Sequence, residues 1–434
     1  MRNRTAIAIC LGLLALAPLG LLAVDAKTSL KIDQEIEKVK PEIIKIRRFI
    51  HMNPELSNQE YETAKLVASK LMSLGLEVKT GVARTGVVAL LRGGRPGPTV
   101  AIRADMDALP IQETAGVPFK SLNPGVMHAC GHDVHTSVAL GAAMVLVKVK
   151  DKIKGNIKFI FQPAEEGAPQ GEEGGAELMI KEGVLEDPTV GAIFGLHVWP
   201  ENVGQAFFST GNIMAGSDSF EIEIKGRSAH GARPHEGVDA IVLAAEVVTA
   251  LQSVISRAVD PTDPAVLTIG KIEGGTRSNI IAEKVTMEGT VRTLSEANRK
   301  KIPQLIESVV KGITQAFGAT SSLDYRQLNP PVFNHAELGE TMLPTLVGVL
   351  GKDKTLPFPP QMVAEDFSFY AQKIPGFYFF LGVKTPGPAA AAPLHNPNFN
   401  PDERSITVGI KLMCHLALDA LEKQNPPEPE PSSL

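Results

Sequence analysis

Cysteine is scarce in this chain of 434 residues, which contains only three of them. Cys10 lies in an apolar N-terminal run, and Cys414 lies in an amphipathic helix pattern that favours burial. A disulfide framework is therefore not apparent, and Cys130 is free for other chemistry. An excess of positive charge is also missing, since the net charge is -5 and no basic stripe occurs. This balance argues against a general nucleic-acid-binding protein.

The N-terminal sequence MRNRTAIAICLGLLALAPLGLLAVDAK places two arginines before an apolar run and small residues at its end. This pattern predicts a secretory signal peptide over residues 1–26, and a mature protein that is exported (periplasmic or secreted) and not attached to a membrane. Because the run approaches the length of a membrane span, an uncleaved membrane anchor is the alternative. At the other end, the Pro- and Glu-rich residues 425–434 predict a disordered tail.

The length of the chain favours two domains. Over residues 27–213, apolar strand patterns such as TVAIRADMD and NIKFIFQPAEE alternate with helix patterns, which predicts an α/β domain with a doubly wound, mostly parallel sheet. Residues 214–326 instead follow the order β-α-β-β-α-β of a ferredoxin-like unit. The helix–strand alternation resumes over residues 327–424. The ferredoxin-like unit is therefore predicted to be an insertion into the doubly wound domain, whose two parts are residues 27–213 and 327–424.

Polar side chains that could carry chemistry fall at the ends of the predicted strands or just after them. Five of them end a predicted strand, namely Asp105, Asp107, Glu165, Glu166 and His197. His395 follows the last predicted strand. Because open α/β sheets bind their ligands at the carboxyl edge, these groups are predicted to converge there.

The stretch MHACGHDVH, residues 127–135, contains Cys130 and three of the ten histidines. In an extended segment, side chains two residues apart point the same way, so Cys130 and His132 can meet at one metal, and Gly131 lets the backbone come close. Five ligands are then available, too many for one tetrahedral site: Cys130, His132, Glu166, His197 and His395. They predict a pair of divalent metal ions. For each histidine alone, an ordinary core or surface position is the alternative.

The adjacent carboxylates of Glu165 and Glu166 project in different directions from a strand end. Glu166 is predicted to bind metal, while Glu165 faces the cavity as the general base beside a metal-activated water and then as proton donor to the leaving nitrogen. The alternative is an exposed acidic pair.

Asp105 and Asp107 are predicted to orient a ligating imidazole, with an ion pair between Asp105 and Arg103 as the alternative. His128 and His135 are left out of the ligand set, the second because it falls one turn into a helix.

Nine segments together resemble a known family: RADMDALP, MHACGHDVH, FQPAEEG, GLHVWP, GRSAHGARPHEGVDA, GGTRSNII, GTVRT, AEDFSFY and PLHNPNF. In this order they resemble the M20 metallopeptidase clan, and within it the amidohydrolase branch of hippurate, N-acyl-amino-acid and auxin-conjugate (IAA-amino acid) hydrolases. The resemblance implies the same five metal ligands and Glu165 as the base. The wider clan has a ligating histidine at the position of Asp105, so the cysteine-containing pattern of this branch applies.

The resemblance also implies that the inserted unit is a lid that mediates homodimerisation. His230 matches a lid histidine that reaches the scissile carbonyl, and Asn279 and Arg292 match positions suited to the carboxylate of the substrate. The residues alone leave two alternatives open, a surface position for His230 and a solvated strand face for Arg292.

The implied activity is metal-dependent hydrolysis of the amide bond of small N-acyl amino acids. The Cys130 thiolate favours Zn, Co or Ni, although Mn also serves this branch. A dipeptidase or carboxypeptidase of the same clan is the first alternative. An exported solute-binding protein is the second, but such a protein needs no Glu-Glu pair beside a Cys-x-His.

Overall fold

The computed structural model describes residues 24–387 and 392–424. The predicted signal peptide lies outside the described residues as far as residue 23, and the predicted tail over residues 425–434 lies wholly outside them.

The described residues form nine α-helices and fourteen β-strands, numbered in chain order. The helices are α1 Ala26–Met52, α2 Tyr61–Ser73, α3 His132–Leu146, α4 Gly175–Lys181, α5 Ala240–Ser253, α6 Glu296–Ala316, α7 Ala336–Leu350, α8 Phe367–Ala371 and α9 Arg404–Gln424. The strands are β1 Glu77–Val82, β2 Gly86–Arg92, β3 Arg95–Asp105, β4 Lys154–Gln162, β5 Val190–Asn202, β6 Ala206–Phe208, β7 Gly211–Met214, β8 Gly216–Lys225, β9 Ala265–Gly274, β10 Lys284–Thr293, β11 Thr320–Asn329, β12 Val332–Asn334, β13 Thr355–Pro357 and β14 Gly376–Lys384.

The first helix begins inside the segment predicted to be cleaved. The Asp25 carboxylate caps α1 by accepting hydrogen bonds from the backbone N–H groups of Lys27 and Thr28, at 2.9 and 3.0 Å. Cleavage after Ala26 stays a prediction, and it would remove a cap that contributes about 1 kcal/mol to a helix.

A mixed, eight-stranded sheet forms the larger layer, in the order β1-β2-β4-β3-β5-β14-β6-β13. Its centre is parallel, because β3 pairs in parallel with β4 and β5, and β5 pairs in parallel with β14. The strands β1 and β2 continue it antiparallel at one edge. The structure confirms the predicted α/β fold with a mostly parallel sheet.

Helices cover both faces of this sheet, and β14 shows how its side chains divide between them. Phe377, Phe379 and Leu381 point into a core shared with α1, α3 and α9. Tyr378 and Phe380, at the alternate positions, point into a second core shared with α4 and α8. A strand that is buried on both faces is apolar at nearly every position, which explains its continuous apolar sequence.

The inserted unit contains β8, α5, β9, β10, α6 and β11, as its sequence pattern predicts. Its sheet is antiparallel throughout and has the order β11-β8-β10-β9. On β8, Phe220, Ile222 and Ile224 point toward α5 and α6 and form a separate core with them. The strand order is that of a ferredoxin-like fold, with both helices on one face of the sheet.

The larger sheet contains a topological switch at β3. The chain passes from β3 through α3 to β4 on one side, whereas β5 lies on the other side of β3. The pairing of β3 with β5 ends at Ile102 and Phe194, although β5 continues to Asn202. The carboxyl ends of β3 and β5 are therefore not paired, and they open the crevice in which such sheets bind their ligands.

We expect Phe379→Ala to lower the free energy of unfolding by about 3–5 kcal/mol, because Phe379 is fully buried at the centre of the sheet. Urea unfolding measures the change. Phe333→Ala is the matched control, since Phe333 is 47% exposed on β12, and it should cost about 0.5 kcal/mol or less. Equal losses in both variants would contradict the assignment of this core.

Candidate metal centre

The five predicted ligands come from four separate parts of the fold that meet at the crevice. Cys130 precedes α3 and His132 is its first residue. His197 lies on β5, past the end of its pairing with β3, rather than at the strand end that the sequence predicted. Glu166 lies in the turn after β4, and His395 lies in the loop between β14 and α9.

Gly131 joins the two ligands that come from the MHACGHDVH segment. It has a φ of 90°, in the left-handed region, and a Cβ at this position would lie 2.4 Å from Cγ2 of Val198. Only glycine satisfies both conditions. The segment is thus a left-handed turn that leads into a helix, and not the extended strand on which the sequence prediction relied. The turn nevertheless brings Cys130 and His132 to the same site.

Two groups of metal-binding side chains share Cys130. One contains Cys130, His132 and His197, and the other contains Cys130, Glu166 and His395, with the ligand atoms of each group within 4.8 Å of one another. The Cys130 Sγ atom lies 3.3 Å from Nε2 of His197 and 3.3 Å from Nε2 of His395. The structure therefore brings all five predicted ligands together.

The two ring nitrogens of His132 differ, because Nδ1 has hydrogen-bond partners in the protein and Nε2 has none among the described residues. Its Nδ1 lies 2.9 Å from the backbone oxygen of Asp107 and 3.2 Å from the Asp107 carboxylate. Because both are acceptors, Nδ1 carries a proton and donates it. Its Nε2 is buried and has no hydrogen-bond partner among the described residues. A buried polar atom without a partner is costly, and a metal ion would satisfy it.

The charges at this site also favour a cation. Burial, together with the carboxylates of Glu166 and Glu165, raises the pKa of the Cys130 thiol well above its usual range. Burial lowers the pKa of His132, but Asp105 and Asp107 outweigh it and raise that pKa to about 10. Without a metal, protons therefore occupy the positions on sulfur and nitrogen that a divalent cation would take. The donor set and its charge both fit a metal site.

Glu165 is buried behind these ligands, so the acidic pair is not the exposed one of the alternative reading. Its Oε2 lies 3.8 Å from Nε2 of His132, and its Oε1 accepts a hydrogen bond of 3.4 Å from the backbone N–H of Asp366. Burial, followed by repulsion from Glu365 and Glu166, raises the pKa of Glu165 well above its usual range. A carboxyl group in this environment holds a proton more strongly than an ordinary glutamate, which suits an acid–base role.

The two aspartates of RADMD have different partners. Asp107 holds Nδ1 of His132, as predicted, and also accepts a hydrogen bond of 3.0 Å from the Glu166 backbone. Asp105 is 3.8 Å from that imidazole and instead contacts Arg103 at 2.6 Å and His135 Nδ1 at 2.7 Å. The alternative Arg103 pair is therefore present. His135, which the sequence analysis left out, belongs to the surroundings of the site, and its position three residues after His132 on one helix face was the available signal.

The structure of a single chain does not bring the three predicted lid residues to this site. His230 and Asn279 are exposed and lie beside each other, since the Gly231 backbone N–H donates to the Asn279 oxygen at 2.8 Å. Arg292 is half-buried on β10, opposite Ser217. Within residues 24–387 and 392–424, no hydrogen bond or ion pair joins any of the three to the five ligands.

Comparisons with known proteins agree with this geometry. Residues 101–419 match the model of peptidase family M20/M25/M40. The chain is 42% identical over 395 residues to thermostable carboxypeptidase 2 of Saccharolobus solfataricus, covering 89% of this chain and 98% of that protein. It is 45% identical over 311 residues to an N-acyl-L-amino acid amidohydrolase of Geobacillus stearothermophilus, covering 71% of this chain and 82% of that protein.

A solved structure gives the same result for the fold. It is that of a Bacillus subtilis protein described as a dinuclear metal binding peptidase from the M20 family, at 35% identity and a TM-score of 0.77. The match covers 89% of this chain and 99% of that one. The resemblance found in the sequence is confirmed, and the chain belongs to peptidase family M20/M25/M40 as a hydrolase that acts on amide bonds.

Proposed function

We propose that this protein is a metal-dependent amidohydrolase that cleaves the amide bond of N-acyl amino acids, either hippurate or other acyl and aryl conjugates. The observation that carries the proposal is the meeting of five N, S and O ligands around the unpartnered Nε2 of His132, with the buried Glu165 beside it. The similarity to the Geobacillus N-acyl-L-amino acid amidohydrolase supports the substrate class.

The five ligands would hold two divalent cations, with Cys130 common to both groups; the candidates are Zn, Mn, Co and Ni. His132 and His197 complete one group, and Glu166 and His395 complete the other. When bound, such cations supply Lewis acidity, which lowers the pKa of water and polarises the amide carbonyl.

Glu165 is the proposed general base. Its Oε2 faces the ligand atoms and takes the proton of the attacking water, and the same oxygen then delivers a proton to the leaving amide nitrogen. Its raised pKa suits both roles, because an ordinary glutamate would hold the proton too weakly to deliver it. The Asp366 backbone N–H keeps the other oxygen in place.

The inserted unit is the proposed lid, in which His230 contacts the substrate carbonyl and Asn279 and Arg292 contact its carboxylate. Arg292 supports this role, because its Nη1 is buried without a hydrogen-bond partner among the described residues, and burial lowers its pKa. A buried guanidinium without a hydrogen-bond partner is stabilised by a carboxylate, which it can bind through two hydrogen bonds.

The proposed assembly is a homodimer through the inserted unit. The strand β9 is an edge of its sheet, and its Ile272 side chain is 55% exposed. Next to it, α5 exposes Ile241 and Val242 by 48% and 55%. An unpaired strand edge can pair with another chain, and neighbouring exposed apolar side chains can mark an interaction surface. A second copy would cover both, because a two-fold axis places the same patch on each side.

A carboxypeptidase is the second candidate, because the chain is 42% identical to thermostable carboxypeptidase 2 of Saccharolobus solfataricus along nearly its whole length. Both activities cleave an amide bond next to a free carboxylate. A free α-amino group on the substrate distinguishes dipeptides from N-acyl amino acids, so turnover of matched pairs separates the two candidates.

We expect the metal-free protein, prepared with a chelator, to bind two equivalents of Co²⁺ or Zn²⁺. Trp199 is the only tryptophan, and its ring centroid is 6.3 Å from that of His197. Bound Co²⁺ should therefore quench the fluorescence of the protein. Cys130→Ser should weaken both binding steps, because Cys130 is shared. Cys414→Ser, which changes the other buried free cysteine, is the matched control and should keep both equivalents.

We expect the metal-loaded protein to hydrolyse hippurate or N-acetyl amino acids faster than the matching dipeptides. Glu165→Gln should lower kcat by about 100- to 10,000-fold, the usual contribution of a general base, while two metal equivalents remain bound. Glu172→Gln in the same loop is the control and should retain turnover. A dipeptide preference would favour the carboxypeptidase, and a fully active Glu165→Gln variant would exclude Glu165 as the base.

We expect light scattering to give twice the chain mass of 46.3 kDa, reduced by any cleaved leader. Val242→Glu should produce a monomer, because it would place two carboxylates against each other in an apolar interface. Leu122→Glu, at a side chain that is 67% exposed on the larger domain, should remain dimeric. A wild-type protein that is monomeric at micromolar concentration would refute the proposed dimer.

A further inference from the structure

His135 is buried at the site and makes two hydrogen bonds that fix its protons. The backbone N–H of Val198 donates to Nε2 of His135 at 2.8 Å. Because a backbone N–H can only donate, this nitrogen carries no proton. The proton of the neutral ring is therefore on Nδ1, which lies 2.7 Å from the Asp105 carboxylate. Both ring nitrogens are thus in use, and His135 is not free to bind a metal.

The Val198 backbone N–H has His135 as its acceptor because the pairing of β5 with β3 ends before Val198. The ladder between β3 and β5 stops at Ile102 and Phe194, four residues before Val198. On its other side, β5 still pairs with β14, where Val198 is opposite Leu381. The N–H that no strand accepts is buried, and leaving it unpaired would cost about 1–3 kcal/mol. His135, from the first turn of α3, replaces the missing strand.

His197 is held by the same backbone. Its Nδ1 lies 2.7 Å from the oxygen of Val198, which only accepts, so Nδ1 donates and Nε2 is left to face Cys130 Sγ at 3.3 Å. The rings of His135 and His197 also pack edge to face, with centroids 4.7 Å apart and planes at 71°. A change in the Val198 backbone would therefore turn the His197 ring away from Cys130.

We propose that His135 is a positioning residue of the metal centre. By accepting the Val198 N–H and packing against His197, it holds Nε2 of His197 toward the site, while Asp105 and Arg103 hold His135 itself. The proposal rests on the proposed function only for the role of His197 as a ligand. It gives Asp105 the task of holding His135 rather than contact with a ligating imidazole.

Two variants separate the two hydrogen bonds of His135. In His135→Gln, the amide oxygen takes the place of Nε2 and can still accept from Val198, but the donor to Asp105 is lost. In His135→Asn, the amide nitrogen takes the place of Nδ1 and can still donate to Asp105, but nothing reaches Val198. Each variant loses one hydrogen bond, so their losses in unfolding free energy should be similar.

The measurement is metal affinity, by competition with a chromophoric chelator and by quenching of Trp199 fluorescence with Co²⁺. His135→Asn should weaken one of the two equivalents by about 10- to 100-fold, as the loss of a partner behind a ligand usually does. His135→Gln keeps the acceptor for the Val198 N–H but loses the ring packing and the Asp105 contact, so it should lose clearly less affinity than His135→Asn. His415→Asn, at a buried histidine on α9 remote from the site, is the control for loss of stability and should bind both equivalents normally.

Equal affinity losses in His135→Gln and His135→Asn, or no loss in either, would overturn the proposal. A wild-type protein that binds no metal would instead refute the proposed function. Should the variants fail to fold, nitrogen NMR of the metal-free wild-type protein gives a separate answer. It should show the proton of neutral His135 on Nδ1 and an unprotonated Nε2 that accepts a hydrogen bond, and a proton on Nε2 would overturn the proposal.

Discussion

The structure depends on an excess of buried carboxylates at the carboxyl edge of the sheet, which the chain itself neutralises on one side only. The Arg103 guanidinium lies within 2.6 to 3.0 Å of the carboxylates of Asp105, Glu365 and Asp366. A buried guanidinium with three such partners compensates their charge and is compensated by them. Glu165 and Glu166 lie beyond its reach, on the side of the crevice that contains Cys130. Among the described residues, no lysine or arginine forms an ion pair with Glu165 or Glu166, whose nearest basic groups are the imidazoles of His132 and His395. The front of the site therefore favours a bound cation.

The topology explains why residues so far apart in sequence can share that cation. The switch at β3 opens the crevice, and the insertion between β7 and β12 leaves the larger sheet intact, so that the chain returns to add β14 beside β5. The loop after β14 is then fastened, because the His395 backbone N–H donates to the oxygen of Ala129 at 2.9 Å. One ligand from the end of the chain thus lies next to the cysteine that precedes α3.

The sequence was sufficient to predict the fold class and the ferredoxin-like order of the insertion, because apolar runs reveal the strands. The five predicted ligands also meet, although His197 lies inside β5 rather than at its end, and Cys130 and His132 meet through a left-handed turn rather than an extended segment. It did not reveal His135 as part of the site. That role depends on which strands are neighbours, since the Val198 N–H is available to His135 only because β3 and β5 separate after Ile102. The contact of Asp105 with His135 was missed for the same reason, because a period of apolar residues carries no information about tertiary neighbours, whereas the Arg103 partner of Asp105 was named as the alternative.

The same charges connect the metal to the stability of the fold. Without a cation, the site keeps its groups buried by holding protons, since the pKa values of Cys130, His132 and Glu165 are all raised. A metal ion would take the place of protons on sulfur and nitrogen, and it would bind the folded arrangement rather than the unfolded chain, where these residues are far apart. Bound cations would therefore stabilise a set of groups that are unfavourable to bury alone. The rigid support behind them, from Asp107 to His132 and from His135 through Val198 to His197, keeps the ligand atoms in place before the metal arrives.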